Sequence, residues 1–280
     1  MASALATRIA TGIVLIAGIL AALLLLPTLV FGAIVLLIVL VAANEWAKLI
    51  GLANVARIGF VIAVLAAGCA LLRLGAMDGF DPIVQLACGA ATLLWVGVGV
   101  PSVLRNWQPA SVLARTVSAF VMLEGAFVAI VALQDRSPWL ALAAMAIVWL
   151  ADTAAYFAGR RFGRRKLAPQ ISPGKTWEGV YGALVAVAVY ALLLLPLARR
   201  AGYDGGFDAG AIAAWIAFAI ALAALSVVGD LHESLLKRRA GVKDSGAILP
   251  GHGGVLDRTD ALLAAMPPVA LAATAFLGAA

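Results

Sequence analysis

Charge is scarce in this chain. Acidic and basic residues fill 12% of its 280 positions, about half of the roughly 25% usual in soluble domains. That shortage excludes an ordinary water-exposed globule. Soft and imidazole ligands are scarcer still: Cys69, Cys88, His232 and His252 are the whole supply. Both cysteines fall in apolar stretches, so they read as small core residues with no disulfide framework. A cysteine–histidine zinc cluster is excluded on the same count. Also missing are a Pro- or Ser-rich linker, a low-complexity tail and a polar loop long enough to fold alone. The longest polar segment, 229–258, has 30 residues. One integral membrane domain over 1–280 follows. Residues 1–135 form mainly hydrophobic spans, and 136–280 form the section that carries the chemistry.

What is abundant is hydrocarbon, with 64% hydrophobic residues. A membrane helix needs about 20 apolar residues to cross about 30 Å. Residues 9–44 are charge-free and break at Pro27-Thr28, giving two spans. Residues 82–104, 179–198, 209–229 and 261–280 give one span each, and 58–72 and 137–151 become spans with their flanks. Residues 117–133 are interrupted only by Glu124. The expectation is an all-α polytopic protein of about nine transmembrane helices. Arg8 ahead of an apolar run has the look of a secretory signal, but a second span follows directly.

Basic residues set the orientation. With the N-terminus in the cytoplasm, the inward segments hold sixteen Lys and Arg and the outward ones four. This is a strong positive-inside bias. It places the loops 159–175 and 229–258 together on the cytoplasmic face. The net charge of +6 suits anionic lipid headgroups. It is dispersed over short loops and forms no nucleic-acid module. The outward segments, among them 78–81 and 203–206, read as turns.

Asp152, Asp230, Asp257 and Asp260 each stand at a predicted helix end, close to the hydrocarbon boundary. Two carboxylates at about 4 Å repel by about 4 kcal/mol at an effective dielectric of 20, so gathering them needs a cation. Oxygen donors without cysteine favour Mg²⁺ over zinc. The plainer alternative is that each Asp caps a helix or pairs with a nearby Arg. On a helix continuing past Asp230, Asp230, Ser234 and Lys237 share a face. With Arg238, Arg239 and Lys243 they make a cradle for a phosphate chain, or an ordinary positive-inside cluster. Pro250-Gly251-His252-Gly253-Gly254 would let backbone N–H groups approach an oxyanion. His252 reads either as a donor to phosphate or as a solvated loop residue.

The second loop contains Ser172-Pro173-Gly174-Lys175-Thr176. It is not a P-loop: the first glycine of that pattern would fall on Pro169, and no strand is expected before it. Ser172 is expected to cap the following helix, with Lys175 facing anions. Glu124, an ionisable group at membrane depth, reads equally as functional or as a protonated acid bonded to a neighbouring helix.

Residues 234–260 resemble the signature of the phosphatidate cytidylyltransferases (CDP-diacylglycerol synthases). The residues that carry the resemblance are Ser234, Lys237-Arg238, Lys243-Asp244, His252-Gly253-Gly254, Asp257-Arg258 and Asp260. Asp152 to Tyr156, the Gly-Arg-Arg-Phe-Gly run 159–163 and Ser172 to Gly179 are similar to that family as well. The resemblance implies a multi-pass enzyme of the bacterial inner membrane that joins CTP to phosphatidic acid and releases pyrophosphate. It implies Mg²⁺ on Asp230 and Asp257, with room for a second cation.

On that footing Asp230, Lys237, His252, Asp257 and Asp260 are the expected catalytic set. Asp152, Ser172, Lys175, Ser234, Arg238, Lys243, Asp244, Gly253, Gly254 and Arg258 are expected to bind substrate. A homodimer is compatible with the sequence. Two other readings stay open: a CTP-dependent transferase acting on another lipid phosphate, and a transporter. Transport sites usually lie near the midplane, whereas these polar residues gather at one face.

Overall fold

A computed structural model of the chain describes residues 2–73, 82–200, 208–248, 251 and 253–277. The expected turns at 78–81 and 203–206, and His252 with Pro250, lie outside the described residues. The architecture is a helical bundle. In order it comprises α1 (Ala2–Leu25), α2 (Thr28–Leu49), α3 (Asn54–Arg73), α4 (Pro82–Leu94), α5 (Val100–Arg105), α6 (Val112–Arg136) and α7 (Pro138–Phe162). A two-stranded hairpin follows, β1 (Lys166–Ala168) and β2 (Ser172–Thr176), then α8 (Trp177–Arg200), α9 (Ala209–Arg239) and α10 (Leu256–Leu277).

Local chemistry explains most of these boundaries. Pro27 stands where α1 gives way to α2. Ser111, Ser137 and Asp208 cap α6, α7 and α9 by accepting from the N–H of the residue three ahead, which satisfies one orphan donor of the first turn. A π-turn at Trp95–Gly99 joins α4 to α5 and holds Trp95 in the core, 1% exposed. Asn106 ends α5 in the left-handed conformation.

Among the described residues seven helices, counting α4 to α5 as one, are long and apolar enough to cross a membrane. Large apolar side chains such as Leu37, Leu86, Leu93 and Leu193 point outward and are well exposed. On a soluble monomer such coverage would be a liability; facing lipid it is what these helices require. Helices in lipid associate through close packing of small residues. Accordingly Ala126, Ala129 and Ala132 of α6 and Ala264 and Ala265 of α10 are fully buried. In its most apolar stretch α6 is 67% buried, against 17% for α3 and α8, so α6 is the axis of the bundle. It packs against α2, α4, α7 and α10, while α9 lies between α8 and α10.

Two features of the polar segments differ from the sequence reading. First, α9 continues helical through Arg239, so the connection to α10 is only 240–255. Second, 159–175 is not a plain loop: α7 extends to Phe162 and an antiparallel hairpin precedes α8. Ser172 therefore does not cap α8. It sits in β2, with Ala168 as its partner across the hairpin. The cap is Thr176, whose Oγ1 accepts from Gly179 N at 3.2 Å. Glu178 accepts from the N–H groups of Arg164 at 3.0 Å and Arg165 at 3.1 Å, which pins the start of the hairpin onto α8.

Candidate active site

The last turns of α9 carry Asp230, Glu233, Ser234 and Lys237, spaced so that they form one stripe along the helix. Ser234 Oγ donates to Asp230 Oδ1 at 3.4 Å, as the shared face demanded. Lys237 Nζ pairs with Glu233 one turn back and with Asp257 Oδ1 at 2.5 Å. These side chains are 12%, 4% and 7% exposed. A buried ammonium with two carboxylates is a charge-assisted clamp between α9 and the start of α10. Removing one partner of such a pair strands a desolvated charge.

Asp257 is held from its other side as well. Its Oδ2 accepts from Ser245 N at 3.0 Å, Ser245 Oγ at 3.0 Å and Gly254 N at 2.8 Å. Ser245 and Gly254 thus close around this carboxylate from the connection to α10. Gly254 is required by proximity: a Cβ there would lie 2.1 Å from Ser245 Oγ.

A second group gathers around Lys175 of β2. Its Nζ meets Asp230 Oδ2 at 2.6 Å. Asp152 of α7 and Asp260 of α10 are close enough for their charges to act on Asp230 and Lys175. Asp260 is buried, and its Oδ1 accepts from Ala261 N at 2.8 Å. Gly229, just before Asp230, allows this convergence. A side chain there would sit 2.5 Å from the Asp260 carbonyl oxygen, so only glycine lets α9 and α10 touch at this level. Lys175 is placed by the hairpin. Arg238 Nε donates to Ile171 O at 3.2 Å, and Ile171 packs on Leu231 and Leu235 of α9.

Most of the sequence-predicted residues thus meet at one end of the bundle. Asp230 and Asp257 come together only indirectly. Each has its own lysine, and Glu233 links the two groups, paired with Lys237 and within electrostatic reach of Asp260. Lys243, Asp244 and Arg258 are exposed and form a rim, and Gly253 is half-buried beside Asp257. Arg238 and Arg239 have anchoring contacts, the second to the carbonyl of Asn106.

Among the described residues no three carboxylate, histidine or cysteine side chains are arranged to hold a metal ion. The chemistry of the donors nonetheless suits a hard cation. Among the described residues five carboxylates (Asp152, Asp230, Glu233, Asp257 and Asp260) gather around two ammonium groups, Lys175 and Lys237. Glu233 Oε1 is buried without a hydrogen-bond partner among the described residues. Surplus negative charge on oxygen donors is what Mg²⁺ or Ca²⁺ binds.

Sequence reasoning missed Glu45, Glu233 and Ser245. Glu45 is 1% exposed at the end of α2 and reaches the connection before α10. The test applied to Glu124, an acid inside an apolar helix, would have found it. Glu233 stands four residues before Lys237, the spacing of a helical ion pair. Glu124 itself is buried in α6 with both carboxylate oxygens lacking a partner among the described residues.

Lipid-facing helices that deliver a carboxylate–lysine site to one end define a multi-pass membrane protein equipped to handle anions. This chain belongs to the cytidylyltransferase family, which it matches over residues 6–276. It is 37% identical to the phosphatidate cytidylyltransferase of Pseudomonas aeruginosa over 269 residues, 93% of each chain. It is 48% identical to the phosphatidate cytidylyltransferase of Haemophilus influenzae over 129 residues, 46% of this chain and 43% of that one. The similarity to the Thermotoga maritima enzyme of the same name is 41% over 129 residues, 45% of this chain and 46% of that one. These last two alignments span less than half of the relatives they match.

Proposed function

We propose that this protein transfers the cytidylyl group of CTP to phosphatidic acid, giving CDP-diacylglycerol and pyrophosphate. The similarity along 93% of the Pseudomonas aeruginosa phosphatidate cytidylyltransferase carries the reading, and the anion-handling site at the end of lipid-facing helices supports it. An oxygen of the lipid phosphate attacks the α-phosphorus of CTP. The bond from that phosphorus to the α,β-bridging oxygen breaks, and pyrophosphate leaves with the electron pair. A phosphomonoester has its second pKa near 6, so the lipid phosphate is already a dianion at neutral pH and needs no general base. The barrier is repulsion between two polyanions, and catalysis is positioning plus charge neutralisation.

The residues divide by burial. Lys175, half-buried and paired with Asp230, exchanges that partner for the lipid phosphate, with Arg258 assisting. Lys243 and Arg238, exposed at the rim, meet the triphosphate and, with His252 and Gly253, the departing pyrophosphate, while the N–H of Gly254 stays on Asp257. Lys237 holds Asp257 in place. Asp152, Asp244, Asp260, Ser172 and Ser234 orient ligands. A divalent ion, Mg²⁺ by the hardness of the donors, would be held by Asp230 and Asp257 and would supply neutralisation between the two phosphate chains. The site faces the cytoplasm of a bacterial inner membrane, in a fold of nine spans, and the acyl chains stay in the bilayer.

The test is a purified-protein assay in detergent micelles with labelled CTP and a panel of lipid phosphates. The expected result is pyrophosphate released in equal amount with a CDP-lipid, dependent on phosphatidate. Labelled CTP that is not incorporated into any lipid, with folded protein present, would overturn the reading.

A further inference from the structure

Glu45 belongs to α2, about 200 residues from the signature, in a section that is mainly hydrophobic spans. Its carboxylate is buried yet fully engaged. Oε2 accepts from Leu256 N at 2.8 Å and from Ser245 Oγ at 3.0 Å, and Oε1 accepts from Val255 N at 3.2 Å. Val255 and Leu256 open α10, whose first N–H groups have no partner within the helix. A carboxylate at that point also complements the positive end of the helix dipole. Glu45 is therefore a cap supplied from another helix, one residue from the candidate ligand Asp257.

Ser245 joins the two acids directly. Its Oγ lies 3.0 Å from Glu45 Oε2 and 3.0 Å from Asp257 Oδ2. A hydroxyl has one proton to donate, so the two carboxylates compete for it, and the position of one is felt by the other. Gly254 leaves the space: a side chain there would lie 2.6 Å from Glu45 Oε2. Next to Glu45, Trp46 packs at a tilt against His232 of α9, 5.9 Å between ring centres. The tip of α2 thus grips both helices that carry the site.

From this geometry we infer that Glu45 is a positioning residue for the cytidylyl transfer, fixing Asp257 through Ser245 and through the first turn of α10. The inference rests on the function proposed above. It requires that Glu45 substitution act on turnover and on the local order of 245–257, and not on the bundle as a whole.

Glu45→Ala, Glu45→Gln and Ser245→Ala are compared with the parent protein. The measurements are kcat and KM for CTP and amide hydrogen exchange. Glu45→Ala is expected to lower kcat by about 10²-fold, as a misplacement of about 1 Å does, with KM for CTP changed by less than about threefold. Val255 and Leu256 amides should exchange at least about tenfold faster, while α6 amides keep their protection. Glu45→Gln retains one acceptor and should lose less of both. Ser245→Ala should lower kcat and leave Val255 and Leu256 protected. Unchanged exchange at Val255 and Leu256 in Glu45→Ala, or loss of protection spread equally over α6, would overturn the inference. So would equal kcat in Glu45→Ala and the parent. The exchange measurement needs no turnover, so a parent protein inactive towards CTP and phosphatidate would sink the proposed function and leave the placement of Asp257 separately judged.

Discussion

Two lysine–aspartate pairs stand side by side in this protein and differ in one respect. Lys237 and Asp257 are 12% and 7% exposed, whereas Lys175 and Asp230 are 25% and 31% exposed. The buried pair is tied to Glu233, Ser245 and Gly254. The open pair shares its surroundings with Asp152 and Asp260, and Lys175 arrives on a hairpin. A buried pair cannot change partners cheaply, because each exchange strands a desolvated charge. A half-open pair can, because water and an incoming phosphate compete on similar terms. The comparison teaches that burial separates like pairs by how freely each can change partners: Lys237–Asp257 is the more enclosed, Lys175–Asp230 the more open to an incoming anion.

The sharpest way to break that comparison is Asp257→Ala, which removes the acid where frame and chemistry meet. Turnover should fall by at least about 10³-fold while the protein still inserts and extracts as a helical bundle. Cytidylyl transfer in detergent and circular dichroism read the two halves of that statement. Lys237→Ala comes next. It leaves Glu233 and Asp257 facing each other, so unfolding should become easier by about 3–5 kcal/mol, visible as a lowered midpoint in thermal or denaturant unfolding. Lys175→Ala should do the reverse. Activity should drop about 10²-fold with stability changed by less than about 1 kcal/mol, and KM for phosphatidate should rise more than KM for CTP. Equal effects of the two lysine substitutions on stability would erase the distinction. The smallest effect is that of Thr176→Ala, which loses the cap of α8 at a cost of about 1 kcal/mol and loosens the hairpin that presents Lys175. A modest rise in KM for phosphatidate would connect the cap to the open pair.

The membrane class and the helical stripe on α9 were legible because hydropathy and a seven-residue spacing are local properties. Asp230, Ser234 and Lys237 could be placed on one face before any contact was known. The hairpin was not legible. Its second strand reads Ser-Pro-Gly-Lys-Thr, a composition that signals a turn, and what keeps it extended is pairing with β1, whose approach Glu178 holds through the backbone of Arg164 and Arg165. The partners of Glu45 were not legible either, since they lie about 200 residues away and no spacing rule links an acid in α2 to the amides of α10. The separate lysine partners of Asp230 and Asp257 are likewise tertiary facts. Sequence put all four aspartates at helix ends, which holds for Asp257 and Asp260 at the start of α10 but not for Asp152 and Asp230, which lie inside α7 and α9 because those helices run on past the apolar stretch; packing decided which ammonium each would face.

Helix α9 has 31 residues, which at 1.5 Å per residue makes a rod about 46 Å long. A hydrocarbon layer is about 30 Å thick, so roughly a third of the rod projects beyond it, and that third bears Asp230, Glu233 and Lys237. One stiff lever therefore joins the greasy interior to the charged tip without a joint between them. A thinner bilayer that makes the rod lean swings its loaded end sideways relative to Lys175 and Asp260. Lipid chain length is thereby expected to act on the charged tip through the lean of α9.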